Sequence, residues 1–316
     1  MIDKRKIVLV GAGFVGMSFA YSLLNQGGVN ELVLIDEQTD KAEGEAMDLA
    51  HGLSCAPSRI NIKSGDYSEC KDADIVVITA GANQKPGQTR LELAKINTEI
   101  MKDITKKTVA AGFKGIFVIA TNPVDIMTYV VAKVSGFPKN KVIGSGTVLD
   151  TARLRYILSE YLSVNSKNVH AYVMGEHGDS SFVPWTHCYV GCKKVTEILE
   201  DRHQDLIVLD DIYKDVQQAA YEIINRKKAT YYGIGLALTN LVKAILNNEN
   251  QILTVSTKLE GEYKHKGLFI GVPAIINSKG VRELLELRLT EEEQDQFDFS
   301  WNTLERTIRE TIDPLL

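Results

Sequence analysis

The sequence predicts an α/β protein. A parallel sheet covered by helices on both faces is followed by an α+β part with antiparallel strands. Three observations lead there. Residues 1–145 alternate short, continuously apolar, β-branched runs with helical patterns, as strands buried on both faces do. A glycine-rich turn joins the first of these strands to the first helix. Beyond residue 146 the order changes, and short strand runs with turn signals between them crowd together late in the chain.

In the first half, strands are expected at Lys6–Val10, Glu31–Ile35, Ile75–Thr79, Ile116–Ala120 and Lys141–Ile143. Helices are expected between them near Val15–Asn25, Lys41–Ala50, Leu91–Ala111 (stopped by Gly112) and Val124–Val134. In the second half a helix near Leu149–Leu162 leads to a strand over Asn168–Met174. Amphipathic stretches follow at Asp211–Arg226 and Tyr232–Asn247, then short strands at Ile252–Val255, Leu259–Tyr263 and Leu268–Val272 that read as an antiparallel meander. Thr290 and Glu293 spell a capping box, and Phe297, Trp301, Leu304 and Ile308 recur on one face of the helix it opens. The chain is accordingly expected to divide into domains of residues 1–145 and 146–316.

At 316 residues the chain can bury a large core, and its 44% hydrophobic content is ordinary. The net charge of −5, mixed in sign along the chain, argues against a nucleic-acid partner. No stretch is long and apolar enough to cross a membrane, and the first residues lack the apolar core of a signal peptide. Four cysteines form no disulfide framework, which suits a reducing, cytoplasmic setting. Cys188 and Cys192 beside His187 have the wrong spacing for a zinc knuckle, so no metal is expected.

The first strand runs straight into Gly11-Ala12-Gly13-Phe14-Val15-Gly16 and a helix, and Asp36 closes the next strand twenty positions past Gly16. A lone glycine pattern of this kind is weak, but here the strand, helix and acid are all in place. Gly11 permits the tight turn, Gly13 lets backbone N–H groups approach a pyrophosphate, and Gly16 lets helix and strand pack closely. The helix N-terminus faces the phosphates. Asp36 would accept hydrogen bonds from a ribose diol and repel a 2′-phosphate, selecting NAD over NADP. This makes the first half a Rossmann-type, NAD-binding domain. Ala80-Gly81-Ala82 and Ala120-Thr121-Asn122-Pro123 follow later strands, at the carboxyl ends where open parallel sheets hold ligands.

The second half supplies a reacting group in Gly175-Glu176-His177-Gly178-Asp179. His177 is the candidate acid–base: neutral, it takes a hydroxyl proton as hydride leaves the adjacent carbon, and charged, it returns one. A carboxylate on its other ring nitrogen would fix the tautomer. Asp150 is expected in that role, whereas Glu176 and Asp179 flank the turn and more plausibly serve its backbone. Arg153 lies three residues past Asp150 on the same helix face, placed to grip a substrate carboxylate bidentately. Arg155 points to nearly the opposite side. The polar, Pro- and Gly-interrupted segment 83–90 reads as a mobile loop whose Arg90 could swing over a substrate and polarise its carbonyl.

Taken jointly, these motifs, with Asn122-Pro123-Val124-Asp125 and Ala229-Thr230-Tyr231-Tyr232, make the whole chain resemble the bacterial, allosterically regulated L-lactate dehydrogenases of the lactate/malate dehydrogenase superfamily. The resemblance implies reversible, NADH-dependent reduction of pyruvate to L-lactate. It casts His177 as proton donor and acceptor, Asp150 as its carboxylate, Arg153 on the substrate carboxylate and Arg90 on the keto group, with Asn122 and Thr230 lining the substrate. It places Val15, Asp36, Lys41, Tyr67, Gly81, Ala82 and Ser145 at cofactor contacts, with Ala120, Thr121 and Asn122 beside them and Ile234 on the nicotinamide. Gln84 stands where malate enzymes carry arginine; a neutral residue favours the methyl group of pyruvate, since an unpaired second carboxylate is costly in a closed site. Arg155 and His170 match the family's pair for fructose 1,6-bisphosphate, which implies an activated homotetramer with the effector site across a two-fold axis.

Three rival readings stay open at this stage. One is a related dehydrogenase for malate or 2-hydroxyisocaproate. Another is a non-catalytic NAD-binding sensor, which would have no need of the base, its carboxylate and two arginines. A third is an NAD-dependent glycosidase of related fold, which would need a metal site.

Overall fold

The computed structural model of the chain describes residues 4–82 and 90–316. The first half runs β1 (Lys6–Val10), α1 (Phe14–Gln26), β2 (Glu31–Ile35), α2 (Thr39–His51), β3 (Asn61–Ser64), β4 (Ile75–Ile78), α3 (Arg90–Ala110), β5 (Ile116–Ile119), α4 (Val124–Ser135) and β6 (Val142–Gly144). Its six strands pair in parallel in the order β3-β2-β1-β4-β5-β6. Successive side chains of a strand point to opposite faces, and the core divides accordingly. Val8, Val33, Val76 and Phe117 join one apolar cluster, while their neighbours Ile7, Leu32, Ile75 and Ile116 join another across the sheet. Continuous apolar runs are what a sheet covered on both faces requires.

The second half runs α5 (Val148–Leu162), β7 (Val169–His170), β8 (Tyr189–Val190), β9 (Lys193–Lys194), α6 (Val195–Asp201), α7 (Val208–Lys227), α8 (Tyr232–Leu246), β10 (Gln251–Glu260), β11 (Lys266–Asn277), β12 (Gly280–Leu284) and α9 (Glu291–Thr307). β7, β8 and β9 form a small antiparallel sheet. β10 and β11 are antiparallel, as expected, but longer than the sequence pattern suggests, and β12 is an antiparallel strand not among the expected ones. The expected Ile252–Val255 strand runs on through Ser256 and Thr257, which are buried inside β10. The expected strand at Leu259–Tyr263 is instead the end of β10 followed by a tight turn, with Tyr263 at φ 53°. The Asn168–Met174 strand is pared down to β7, with Met174 making an isolated bridge to Phe182. β3 escaped the sequence reading because an edge strand reading Asn-Ile-Lys-Ser carries no apolar run.

The sheet does not stop at the expected division. β10 pairs with β6 through Ser256 and Gly144, and nine of the twelve strands among the described residues form one sheet, β12-β11-β10-β6-β5-β4-β1-β2-β3. The final helix has its capping box, Thr290 with Glu293, and buries Phe297, Trp301 and Leu304.

Candidate active site

The glycine turn is held by close approach. Gly11 adopts φ +108°, and a Cβ on Gly16 would lie 2.0 Å from the Gly11 carbonyl oxygen, so neither position has room for a side chain. A Cβ on Gly13 would meet nothing within 4 Å, so the turn opens outward there. The N-terminus of α1 has no side-chain cap and no acidic residue in its first turn, leaving its N–H groups for an anion. At the end of β2, Asp36 accepts the N–H groups of Ala12 (2.7 Å) and Gln38 (3.0 Å), which ties the acid to the turn. Uncapped amides, open space at Gly13 and a carboxylate beside it fit a dinucleotide with a free ribose diol.

The other expected cofactor residues rim the same strand ends. Gly81 and Ala82 follow β4, Ala120, Thr121 and Asn122 follow β5, and Ser145 follows β6 with its N–H on Ile119 O at 2.7 Å. Val15 and Ile234, from the first turns of α1 and α8, pack on the same apolar cluster. Lys41 is exposed on α2. Tyr67 is half-buried, and burial pushes its phenol up to about 12. Asn97 escaped the sequence reading. Buried on α3, it accepts from Ala82 N–H (2.8 Å) and donates to Asn122 O (2.7 Å), bracing two strand ends. A polar residue among Leu93, Ala94 and Met101 on the helix's buried face was its only signal.

α5 is seated by two buried threonines. Thr147 Oγ1 donates to Val173 O (2.6 Å), and Thr151 Oγ1 accepts from Val173 N–H (2.9 Å). That brings the first turn of α5 against the turn carrying His177. His177 Nδ1 lies 2.6 Å from Asp150 Oδ2, and Arg153 Nη1 donates to Asp150 Oδ1 at 2.8 Å. The Asp150 and Arg153 side chains are only 14% and 13% exposed, so their charges act through little water. The Asp150 carboxylate raises His177 to about 9, against the opposing effect of burial. Burial alone would raise Asp150, but the charges of His177 and Arg153 outweigh it and hold the carboxyl below its usual range. At neutral pH the site therefore presents an imidazolium whose Nδ1 is committed to Asp150, leaving Nε2 for a substrate.

Glu176 and Asp179 do not pair with the His177 ring. Ser180 Oγ donates to Glu176, and Tyr221 Oη donates to Asp179 at 2.9 Å, so each acid accepts from a hydroxyl. Asp125 is a second residue the sequence reading did not single out for a role. Only 1% exposed on α4, it accepts His177 N–H at 2.8 Å and Ser256 Oγ at 2.5 Å. Burial raises it to about 6, against those two bonds.

Thr230 is half-buried in the break between α7 and α8. Gln84 lies outside the described residues; Arg90 opens α3, and its side chain lies outside the description too. Away from the reacting cluster, Arg155 Nε donates to Ala171 O (3.0 Å) and its guanidinium lies over the Tyr172 ring at 5.3 Å. That places it beside β7, which carries an exposed His170.

Comparison with known proteins agrees with this geometry. The family model for the lactate/malate dehydrogenase NAD binding domain matches residues 5–144, and that for the alpha/beta C-terminal domain matches 147–313. The chain is 54% identical to L-lactate dehydrogenase 2 of Bacillus cereus over 313 residues, 99% of this chain and 98% of the relative. It superposes on a lactate dehydrogenase from a Medee basin deep-sea metagenome library with a TM-score of 0.95 and 51% identity, covering 98% and 99% of the two chains. Minor L-lactate dehydrogenase from Enterococcus mundtii, in its ligands-bound form, also gives a TM-score of 0.95, at 50% identity over 97% and 98%.

Proposed function

The chain belongs to the lactate/malate dehydrogenase family, and from that membership we propose how its residues reduce pyruvate to L-lactate. Its activity is that of an NAD-dependent L-lactate dehydrogenase. NAD, when bound, supplies the hydride or accepts it. Gly11, Gly13, Gly16 and Asp36 would hold its pyrophosphate and ribose, with Val15, Lys41, Tyr67, Gly81, Ala82, Ala120, Thr121, Asn122, Ser145 and Ile234 around it. Arg153 grips the substrate carboxylate through its planar fork, and Arg90 polarises the keto oxygen. His177 gives its Nε2 proton to that oxygen on reduction and takes it back from the hydroxyl on oxidation. Asp150 keeps Nδ1 occupied, so only Nε2 exchanges. Asn122 and Thr230 line the substrate, and neutral Gln84 leaves a methyl group as the best-fitting substituent.

The observation that carries this reading is Asp150 bridging His177 and Arg153 at 2.6 and 2.8 Å, which couples a proton donor to a carboxylate anchor. Steady-state rates with pyruvate, oxaloacetate and 2-ketoisocaproate test it. Pyruvate should be preferred; a preference for oxaloacetate would overturn the substrate assignment.

We further propose that fructose 1,6-bisphosphate activates the enzyme at Arg155 and His170, completed across a two-fold axis of a homotetramer. Its support is the seating of Arg155 against the strand of His170. Exposed Phe14, Tyr156 and Tyr232 are apolar surface suited to subunit contact. Activation should disappear in Arg155→Gln; activation that persists there would refute the site. The division into residues 1–145 and 146–316 is supported by the two family models meeting between 144 and 147. A cytoplasmic location rests on the cysteine usage of the sequence. Among the described residues, no helix is long and apolar enough to cross a membrane.

A further inference from the structure

Asp125 lies outside every role assigned so far. A carboxylate buried to 1% exposure is costly, and cores keep one only where its bonds or its charge matter. Here both oxygens are used. Oδ2 accepts the backbone N–H of His177 at 2.8 Å, and Oδ1 accepts the Ser256 hydroxyl at 2.5 Å. Asp125 and its two partners come from three places: the first turn of α4, the turn bearing the acid–base, and β10 where it joins β6 beside Gly144. Asp125 thus links the nucleotide-binding half of the sheet to the reacting histidine at the seam where the antiparallel strands are added.

We propose that Asp125 is a positioning residue for the reaction, fixing the main chain of His177 from the cofactor side while Asp150 fixes its ring. The inference rests on His177 being the proton partner in pyruvate reduction. Two effects follow. The bond to His177 N–H sets where Nε2 points relative to the nucleotide crevice. The negative charge adds to that of Asp150 in favouring the imidazolium. The charged groups facing the pair are Glu176 on the same turn and Asp150 and Arg153 on α5, while β10 presents the Ser256 hydroxyl. Glu176 and Asp125 repel each other, and Arg153 opposes the positive imidazole, so removal of Asp125 leaves Asp150 as the dominant anion. Since burial lifts Asp125 to about 6, its charge is present above that pH and lost below it.

The decisive variant is Asp125→Asn, whose amide oxygen can still accept His177 N–H while the charge is gone. NMR titration of the His177 imidazole in the free protein reads the charge effect without turnover. It should move down by about one unit. With pyruvate and NADH, the decline of kcat with rising pH should begin about one unit lower than in the wild type, with KM and NADH affinity nearly unchanged. A folded Asp125→Asn protein with His177 titrating as in the wild type and an unaltered pH profile would overturn the inference while leaving the dehydrogenase reading intact. A wild-type protein that reduced no 2-oxo acid would overturn both. Should Asp125→Asn fail to fold, Ser256→Ala removes only a donor to the carboxylate. The His177 ring resonances of the wild type should show a second inflection near pH 6 as Asp125 takes up its proton, and in Ser256→Ala that inflection should move up by about one unit; an inflection that is absent or stays in place would overturn the proposal equally.

Discussion

Replacing Asp150 by Asn removes the group that does most to keep His177 charged while preserving its size. His177 titrates at about 9 against an ordinary 6.5, and Asp150 is the largest cause. That difference, 9 − 6.5, is worth about 3 kcal/mol between the two protonation states of the imidazole. Without the carboxylate, burial acts unopposed by its main counterweight, and the ring should titrate near 6.5 or below. At about pH 7.5 the imidazolium would then fall from nearly all of the protein to about a tenth of it. Orientation is lost as well, because an amide can turn its NH2 toward Nδ1 and stabilise the wrong tautomer, and Arg153 keeps only a neutral oxygen in place of its anionic partner. Together these should lower turnover of pyruvate by about 10²–10⁴. The assay is the pH dependence of kcat/KM for pyruvate, followed by NADH absorbance. The wild-type rate should decline as pH rises through the His177 titration near 9, because reduction consumes the proton that the raised group holds below that pH. In Asp150→Asn the decline should move to near 6.5. A folded variant that kept its midpoint near 9 would refute the claim that Asp150 sets the proton affinity of the site.

Gly16→Ala should disrupt the nucleotide turn, since its Cβ would lie 2.0 Å from the Gly11 carbonyl and 2.8 Å from Thr79 Oγ1. A loss of about 1–3 kcal/mol in stability and weaker NADH binding should show in thermal unfolding and fluorescence titration, and unchanged values would reject the close-packing argument. Gln84→Arg should raise the preference for oxaloacetate over pyruvate by about 10² or more; competing-substrate rates read it, and an unmoved ratio would dismiss the charge argument. Asp125→Asn should also change stability. Asp125 titrates at about 6 in the fold against 3.8 for the free group, so the folded state binds the extra proton between those values and stability declines as pH rises through them. Above about pH 6 the ionised carboxylate costs up to about 3 kcal/mol, which the neutral amide avoids. Denaturant unfolding at alkaline pH should therefore find the variant at least as stable as the wild type, and a large destabilisation would contradict it.

What the sequence determined by itself was whatever depends on local pattern. Continuous apolar runs announced strands buried on both faces, and the Gly11–Gly16 turn with Asp36 identified a nucleotide crevice because strand, turn and helix are contiguous in the chain. The capping box at Thr290 was legible for the same reason. Asp150, Arg153 and His177 were legible as chemistry, since two residues three apart on one helix face and a histidine in a glycine turn are short-range signals. The tertiary structure decided what depends on distant partners. Ser256 and Thr257 lie beyond the expected strand end at Val255 but inside β10, because a hydroxyl is tolerated inside a strand when another segment supplies its hydrogen bond, as Asp125 does for Ser256 at 2.5 Å. Asn97 showed only as a polar residue on an apolar helix face, and Asp125 had no role legible locally; their partners lie at least fifteen residues away, and only the packing of the fold brings them together. The continuity of the sheet across residue 145 was hidden likewise, since one backbone pairing between Ser256 and Gly144 leaves no trace in composition or periodicity. Local pattern set the elements and the reacting groups; burial and long-range hydrogen bonding set which carboxylate holds which face of His177.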